Sequence, residues 1–484
     1  MANINYEAYE PVIGIEIHIQ LLTKSKAYSN DVNVYGSLPN TNVSVISLGH
    51  PGTLPKPNKK VLEHAITLGL ACKSEITPYT IYARKNYFYA DLPKGYQITQ
   101  DKTPICTGGF ITIKDANHED KIINITRIHM EEDAGKSIHD QDPYETLVDL
   151  NRAGVPLLEI VSEPELKTSQ EAYNYVTEVR KLVRHLEICD GNMEEGSLRC
   201  DVNVSVMKKG QKEFNNRIEV KNMNSIRNVQ RAIDYEIKRQ IEVYENGGTI
   251  TQETRGFDAV EGVTLPQRRK ESANDYRYFP DPDLQPVFVS KEDIAKIKAT
   301  LPKLPQELYH EYVHTYKLSD YDAKVISEDK DIAKYFDTLI SHTKHYKVAA
   351  NWLMGNIKSY LNELVLSIND FPIAPEKIAE IIAAVDLGKI SNTVASQTIF
   401  PSLIDNPAQN VLELAAKLNV LQDSNEDALA GFIDEVLLAF PEKVEEYKSG
   451  KKGLMGLFVG EVMKKSQGKA DPKLTSQLLI KALE

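Results

Sequence analysis

Two side chains capable of metal or acid–base chemistry stand two residues apart near the start of the chain. From Ile15 to Gln20 polar and apolar residues alternate, which predicts a half-buried β-strand. Glu16 and His18 then share one strand face, about 7 Å apart. A carboxylate and an imidazole so placed can bind one divalent cation, although the solvated face of an antiparallel sheet has the same pattern.

Further carboxylates follow in two other segments. Glu131, Glu132 and Asp133 form an acidic run just before the Gly-Lys-Ser sequence at 135–137. That sequence lacks the earlier glycine of a P-loop, and the acids would repel phosphate, so the run predicts either cation ligands or a solvated acidic turn. Glu159 lies in an apolar strand, where an unpaired carboxylate would be costly, so it needs a metal, an arginine or a proton.

Basic and aromatic residues occur together in two segments. Arg84 and Lys85 precede the aromatic run at 87–89, and Arg277 lies between two tyrosines. Such clusters can bind a nucleotide by stacking and phosphate contacts, or can simply be strand edges and solvated arginines. Arg199 alternates with apolar residues on a further two-faced strand. The polar faces of these strands suit an open cradle for a polar substrate.

Length, charge and cysteine content limit the class of protein. A chain of 484 residues is too long for one hydrophobic core. Its net charge of −12 argues against nonspecific coating of nucleic acid. No apolar run reaches membrane-spanning length, and no secretory signal precedes the first strand. Four cysteines without a C-x-x-C pair predict no disulfide framework, so we expect a cytoplasmic protein with no membrane partner.

The chain changes character towards its end. Residues 1–292 read as a mixed α and β domain, whereas the later residues read as helical. Between Tyr447 and Lys481 eight lysines face only two acidic residues. Glycines in this tail, including Gly453 and Gly456, permit close backbone approach, and the lysines could contact phosphates or merely be solvated.

Long motifs spread over the chain resemble a single family, the B subunit of the glutamyl/aspartyl-tRNA amidotransferase. The resemblance runs from about Val12 to the C-terminus. Its fold is expected to be α+β: an N-terminal cradle with a mainly antiparallel sheet (1–292), followed by helical domains at 293–406 and 407–484. The motifs are GIEIH at 14–18, RKNYFY at 84–89, HMEEDAGK at 129–136, the segment 147–164, GNMEEGSLRCD at 191–201, KNMNS at 221–225 and DYRYFP at 275–280.

The resemblance implies a heterotrimer with a glutaminase A subunit and a small C subunit, acting on misacylated tRNA. The B subunit would use ATP and Mg²⁺ to phosphorylate the side-chain carboxylate of the attached Glu or Asp. Ammonia channelled from the A subunit would then displace phosphate and form the amide. Phosphorylation is chemically reasonable because a free carboxylate is a poor acyl donor and divalent cations offset phosphate charge.

The resemblance also implies roles for particular residues. Glu16, His18, Glu132 and Glu159 would form the metal-centred catalytic site, with Lys85 and Glu132 at the mouth of the ammonia channel. The groups expected at the nucleotide are Arg84, Lys85, Arg199 and Arg277. The tail groups expected at tRNA are Lys451, Lys452, Gly453, Gly456, Lys464 and Lys465.

Some features depart from the family, and other functions compete with this interpretation. Many members carry zinc-binding cysteines after the first strand, but residues 27–50 contain no cysteine, so we predict no structural zinc. One alternative is a tRNA-binding scaffold without catalysis, which retention of the four predicted ligands disfavours. Another is an independent metal-dependent phosphohydrolase, which would leave the basic tail without a role.

Overall fold

The computed structural model describes residues 4–139, 141–269, 276–422, 426–466, 470 and 472–483. The chain forms two compact units, Met1–Leu304 and Pro305–Glu484. The first is rich in β-sheet and the second is helical, which confirms the predicted α+β fold class. The division falls beyond the predicted boundary at residue 292, because the helix Lys291–Ala299 packs against the helix Lys59–Ala71 of the first unit.

The strands all belong to the first unit in the part of the chain that is described. They are β1 (Tyr9–Gln20), β2 (Glu75–Ile76), β3 (Tyr79–Thr80), β4 (Ala83–Asn86), β5 (Tyr96–Thr99), β6 (Cys106–Thr107), β7 (Phe110–Lys114), β8 (Asp120–Glu132), β9 (Lys136–Ile138), β10 (Leu147–Asp149), β11 (Pro156–Ser162), β12 (Leu198–Lys208), β13 (Ile218–Lys221), β14 (Glu253–Asp258), β15 (Val263–Arg269), β16 (Phe279–Pro280) and β17 (Val287–Phe288).

A ten-stranded sheet with the order β15-β14-β13-β12-β1-β11-β8-β6-β2 organises the first unit, and β7 pairs with β8 beside that path. Its pairs are antiparallel except β13 with β14, which are parallel and joined through a helix. Three smaller sheets pair β9 with β10, β4 with β5 and β16, and β3 with β17. The long first strand, predicted from its alternation, lies near the middle of this sheet.

The helices cover one face of the sheet in the first unit and form the whole of the second. They are α1 (Lys59–Ala71), α2 (Ser169–His185), α3 (Ile226–Glu245), α4 (Lys291–Ala299), α5 (Pro305–His314), α6 (Asp320–Glu328), α7 (Lys330–Ser341), α8 (Tyr346–Trp352), α9 (Lys358–Leu364), α10 (Pro375–Asp386), α11 (Asn392–Val394), α12 (Phe400–Asp405), α13 (Val411–Lys417), α14 (Glu426–Ala439), α15 (Pro441–Lys448), α16 (Met455–Lys465) and α17 (Pro472–Leu483).

Short 3₁₀ and π segments extend some of these helices. The 3₁₀ turns are Tyr6–Ala8, Ile368–Asp370 and Lys452–Leu454, and the π segments are Leu353–Ile357 and Ala395–Ile399. None of the described helices is long and apolar enough to cross a bilayer. Two separate hydrophobic clusters hold the helical unit, one from Leu308 to Ala415 and one from Leu429 to Leu483.

The two faces of the central sheet differ because side chains alternate along each strand. Ile13, Ile15, Ile17 and Ile19 of β1 are fully buried, in one apolar cluster with residues of α2 and α3. The residues between them carry the polar side chains, on the face that these helices leave uncovered. The hydrophobic effect thus anchors the strand through one face and leaves the other free for chemistry.

A β-bulge interrupts the alternation in β8. Val161 of β11 pairs with Arg127, but the next residue, Ser162, pairs with Ile125, so Thr126 is an extra residue on β8. Before the bulge the buried apolar residues of β8 carry odd numbers, Ile123 and Ile125, and after it they carry even numbers, Ile128 and Met130. The bulge therefore decides which later residues of β8 face the polar side.

The fully buried lysine Lys26 ties the loops after β1 together. Its Nζ donates to the carbonyl oxygen of Asn42 (2.7 Å) and lies 3.9 Å from a carboxylate oxygen of Asp31. Burial lowers the pKa of Lys26 to about 8, and the negative charge of Asp31 only partly opposes that shift.

We expect the difference in free energy of unfolding between the wild type and Lys26→Met to depend on pH. Between pH 8 and 10 the unfolded chain keeps a proton on Lys26 that the folded chain loses, because the pKa is lower when folded. The free energy of unfolding of the wild type should therefore rise relative to the variant by up to about 1.4 kcal/mol per pH unit. Urea unfolding of the first unit at several pH values measures this difference.

Lys102→Met is the matched control, since Lys102 is an exposed loop lysine of the same unit. Its difference from wild type should not change with pH over that range. A pH-independent difference for Lys26→Met would show that Lys26 titrates at its ordinary pKa.

Candidate active site

The polar face of the central sheet carries the candidate site. His18 of β1 lies opposite Glu159 on β11 and opposite Arg199 on β12. Glu159 in turn lies opposite His129 on β8. Four neighbouring strands thus bring side chains from distant parts of the sequence to one place, because the register aligns their polar positions.

Two imidazoles and two carboxylates meet at the centre of this face. Nε2 of His129 lies 2.6 Å from Oε2 of Glu159 and 3.2 Å from Oε1 of Glu131. Nε2 of His18 lies 3.3 Å from the other oxygen of Glu159 and 3.8 Å from Glu131. The sequence predicted that Glu159 needs a partner, and the structure gives its carboxylate two imidazole neighbours. The Arg127 guanidinium lies 3.9 Å from the same carboxylate.

The electrostatics of this group follow from burial and mutual attraction. Burial alone would lower the pKa of His129, but Glu159 and Glu131 outweigh it and raise the pKa to about 9. Burial would raise the pKa of Glu159, but His129 and then His18 hold it well below its usual range. Burial, reinforced by Glu159, raises the pKa of Glu16. Glu159 and Glu131, whose pKa values His129 lowers, are thus held ionised by positive charge that a metal cation could replace.

A divalent cation fits this donor set. His129, Glu131 and Glu159 each offer a ligand atom, and these atoms lie within 4.8 Å of one another. Both ring nitrogens of His129 are buried without a hydrogen-bond partner among the described residues, so its short contacts are ion pairs lacking hydrogen-bond geometry. Carboxylates completed by substrate phosphates are the usual ligands of Mg²⁺, and carboxylates suit Mn²⁺ as well.

His18, Glu131 and Glu159 of this group line a cleft of about 520 Å³ with charged walls. Lys85 lies on one wall, with its ammonium 5.0 Å from the centre of the Tyr276 ring. Burial opposes the charge of Lys85, but Glu131 and other neighbours raise its pKa overall. Arg199 lies on another wall, where Asp133 accepts its hydrogen bond at 2.7 Å. The cleft therefore offers cationic groups beside its cation ligands.

The structure brings Glu16, His18 and Glu159 to this cleft but not Glu132, which was also predicted as a metal ligand and channel group. Glu132 points to the opposite side of β8, where it is 2 % exposed, forms an ion pair with Lys94 and accepts the amide hydrogen of Ile98 (2.9 Å). After the bulge, even-numbered residues of β8 face inwards. Glu131 therefore takes the position in the cleft that was expected of Glu132. Lys85 lines the cleft, so the predicted pairing of Lys85 with Glu132 is not seen.

Two of the four predicted nucleotide contacts also lie outside the cleft. Arg84 alternates with Lys85 along β4 and points away, bound to Asp281 at 2.8 Å and to Asp283 at 2.7 Å. Arg277 is exposed in a left-handed backbone conformation, with φ of 44°, and does not line the cleft. Asp275, in the same motif, lies outside the described residues.

The predicted tRNA-binding residues lie in the helical unit, around α16. Lys451 pairs with Glu446 at 3.2 Å, and Lys465 pairs with Glu435 at 2.6 Å. Lys452 lies 4.2 Å from the centre of the Tyr447 ring. Lys464 makes no ion pair with any described residue. Gly453 and Gly456 have open space where a Cβ would stand.

His129 is a site residue that sequence reasoning did not single out, and Glu131 was predicted only as one member of an acidic run that could bind a cation or be solvated. Both belong to the HMEEDAGK motif, and Arg127, His129 and Glu131 alternate with Ile128 and Met130. This alternation was a usable signal for one polar strand face. No cysteine belongs to the group of possible ligands among the described residues, and the four are buried free thiols; they are Cys72, Cys106, Cys189 and Cys200.

Comparison with known proteins agrees with the motifs. Residues 11–295 match the family described as the GatB/GatE catalytic domain, and residues 334–483 match the GatB domain. The chain belongs to this family. One relative, from Trichodesmium erythraeum, is named as the B subunit of aspartyl/glutamyl-tRNA(Asn/Gln) amidotransferase. It is 47% identical to this chain, and the match covers 98% of each of the two chains. The predicted family resemblance is thereby confirmed.

Other relatives carry the same name. The protein from Alkalilimnicola ehrlichii is 47% identical over 98% of this chain and 99% of its own, and that from Bdellovibrio bacteriovorus is 46% identical over the same shares. The GatB/GatE catalytic region coincides with the first unit almost to its end, so the candidate cleft lies within the part that the family describes as catalytic.

The placement of the adjacent glutamates predicts different effects of Glu131→Gln and Glu132→Gln. Glu131→Gln should weaken Mn²⁺ binding about tenfold or more, because it removes a charged ligand atom from the group. Glu132→Gln should leave the Mn²⁺ affinity within about twofold of wild type, because Glu132 lies outside the cleft. It should instead lower the free energy of unfolding by about 3 kcal/mol, because Lys94 loses its buried partner.

Calorimetric titration with Mn²⁺ and urea unfolding of the two variants measure these effects. Equal loss of Mn²⁺ affinity in both variants, or loss in Glu132→Gln alone, would contradict the assignment of Glu131 to the cleft.

Proposed function

We propose that the chain is the carboxylate-activating subunit of a tRNA-dependent amidotransferase. It would use ATP and Mg²⁺ to phosphorylate the side chain of glutamate or aspartate attached to tRNA, and then form the amide with ammonia. The observation that carries this proposal is the meeting of Glu131, Glu159, His129 and His18 beneath the basic groups Lys85 and Arg199.

The chemistry has two balanced steps. A carboxylate oxygen of the aminoacyl side chain attacks the γ-phosphorus of ATP, the bond to the bridging oxygen breaks, and ADP leaves. Ammonia then attacks the acyl carbon, phosphate leaves with the bond electrons, and the nitrogen loses a proton to give the amide. Bound Mg²⁺ would offset the charge of the phosphates during the first step.

The residues of the cleft support these steps from fixed positions. Glu131, Glu159 and His129 would hold the cation, with His18 beside Glu159. Lys85 would attract the γ-phosphate to the wall of the cleft as a point charge. Arg199 is held by Asp133, which itself accepts a hydrogen bond from Gln20 at 2.9 Å. A guanidinium fixed in this way can orient a phosphate or carboxylate without losing side-chain freedom on binding.

The partners follow from the proposed reaction. Ammonia must be supplied, which a glutaminase A subunit would do, and a small C subunit would complete the heterotrimer. The lysines around α16 would contact the tRNA backbone, since phosphate contacts by lysine dominate nucleic-acid affinity. A complex acting on aminoacylated tRNA would work in the cytoplasm.

His18→Ala should abolish ATP-dependent amidation by the complex, even when ammonium replaces glutamine. The variant loses the imidazole beside Glu159 and so disturbs the groups that hold the cation. Binding of tRNA should stay within about twofold of wild type, because the variant leaves the tail unchanged. Single-turnover amidation and filter binding of misacylated tRNA measure the two effects.

His139→Ala is the control for His18→Ala. His139 is an exposed histidine of the same unit whose ring contacts Thr146 Oγ1 at 3.0 Å. It should keep full activity. Wild-type amidation by His18→Ala would remove His18 from the site.

Neutralising the tail lysines should weaken tRNA binding and flatten its dependence on salt. With Lys451, Lys452, Lys464 and Lys465 changed to glutamine, the slope of log affinity against log salt should fall by up to about 3, since each lost phosphate contact contributes about 0.7–0.9. Lys451 and Lys465 already pair with glutamates and should contribute less. Binding titrations at several salt concentrations measure the slope.

Four exposed lysines elsewhere in the helical unit provide the charge-matched control; they are Lys317, Lys324, Lys344 and Lys347. Their neutralisation should change the slope much less. Equal slopes for the two quadruple variants would mean that the tail lysines are ordinary solvated charges.

A further inference from the structure

A second cleft adjoins the candidate active site along the same sheet face. Its volume is about 510 Å³, close to the 520 Å³ of the first, and Glu16 lines both. Volumes of this size are typical of small-molecule pockets. A ligand bound in the second cleft could therefore extend past Glu16 to the cation ligands.

The floor of this second cleft exists because one position of β1 has no side chain. Gly14 shares the strand face of Glu16 and His18, and it lies opposite Asn203 of β12. A Cβ at Gly14 would meet nothing closer than Pro164, at 3.7 Å, so neighbouring atoms do not exclude an alanine. Glycine inside a strand often marks a place where a ligand approaches the backbone closely.

The walls of the second cleft combine an exposed aromatic ring with basic groups. Phe214, on the segment between β12 and β13, is 61 % exposed. Arg217 and Arg127 also line the cleft, and Arg217 makes no ion pair with any described residue. An open ring beside guanidinium groups is the combination that binds a base by stacking and its phosphates by charge.

A hydrogen-bond acceptor in the lining supports a polar ligand. Asn203 donates through Nδ2 to Glu16 Oε1 at 2.9 Å. Its Oδ1 atom is buried and accepts no hydrogen bond from the described residues. An unsatisfied buried acceptor is costly, and a ribose hydroxyl or an exocyclic amine would satisfy it.

We propose that this second cleft, floored by Gly14 and walled by Phe214, binds the adenosine part of a 5′-phosphorylated ligand. The inference rests on the proposed function, which requires two such ligands: ATP and the 3′-terminal adenosine of aminoacyl-tRNA. The base stacks on Phe214, Asn203 accepts a hydrogen bond from the nucleoside, and Arg127 and Arg217 bind phosphate. The reacting end of the ligand then passes Glu16 towards Glu131 and Glu159.

The test uses the complex of this chain with its A and C subunits and two variants of the cleft. Phe214→Ala removes the ring, and Gly14→Leu fills the floor. In ammonium-driven amidation each variant should raise the KM for either ATP or aminoacyl-tRNA about tenfold, while kcat changes less than threefold. A tenfold rise is within the range expected for the loss of a base–aromatic stack. A raised KM for ATP identifies the nucleotide, and a raised KM for aminoacyl-tRNA identifies the tRNA end.

Two further variants separate binding from damage to the fold. Phe214→Tyr keeps an aromatic ring and should restore the affinity that Phe214→Ala loses. Phe288→Leu removes another exposed aromatic ring of the same unit that lines neither cleft, and it should leave both KM values unchanged. If Gly14→Leu fails to fold, Phe214→Ala decides the question, since an exposed ring can be removed with little cost to stability.

Calorimetric titrations with the ATP analogue AMP-PNP and with uncharged tRNA give a readout independent of activity. Weakened binding of either probe in Phe214→Ala supports the proposal, even if the wild-type complex forms no amide. Unchanged KM values and unchanged binding of both probes in Phe214→Ala would overturn it. An active wild-type complex with that result would leave the proposed function standing and remove only the adenosine site.

Discussion

The carboxylate of Glu159 is buried in the middle of a sheet, and the arrangement around it follows from that fact. An isolated charge there would cost several kcal/mol, so the fold must supply compensating groups at short range. His129 at 2.6 Å and His18 at 3.3 Å do so from the two neighbouring strands. Glu131 then adds a second negative charge beside the same imidazoles. The result is a compact group of charges that depend on one another and that a cation could stabilise further.

The sheet makes this group possible because its two faces have separate tasks. Isoleucines of β1 anchor the strand in the core, while Glu16 and His18 project from the same strand into the cleft. Groups held on paired strands keep their relative positions better than groups on loops. The cation ligands are therefore on strands, whereas Phe214, the ring proposed to stack on a base, lies on a connecting segment.

Much of the site could be predicted from the sequence, since strand alternation is a local property. The pairing of Glu16 with His18 needed only the spacing of residues 15–20, and the need of Glu159 for partners followed from its apolar neighbours. The choice between Glu131 and Glu132 was different, because alternation counted from Ile125 favours Glu132 whereas alternation counted from Arg127 favours Glu131. The bulge that decides between the two depends on pairing with β11, a contact that local sequence does not reveal. Likewise Arg84 is drawn away by acids about 200 positions later.

That bulge also constrains how the gene can change. Thr126 is the single extra residue that sets the phase of β8 against β11, so the length of this segment carries information separate from its composition. Loss of the Thr126 codon would leave a regular ladder in which Ile125 and Arg127, now adjacent, still lie opposite Ser162 and Val161, so His129 and Glu131 would keep their face of the sheet. A residue lost between Arg127 and Glu131 would instead turn part of the strand over, because successive side chains alternate between the two faces of a sheet.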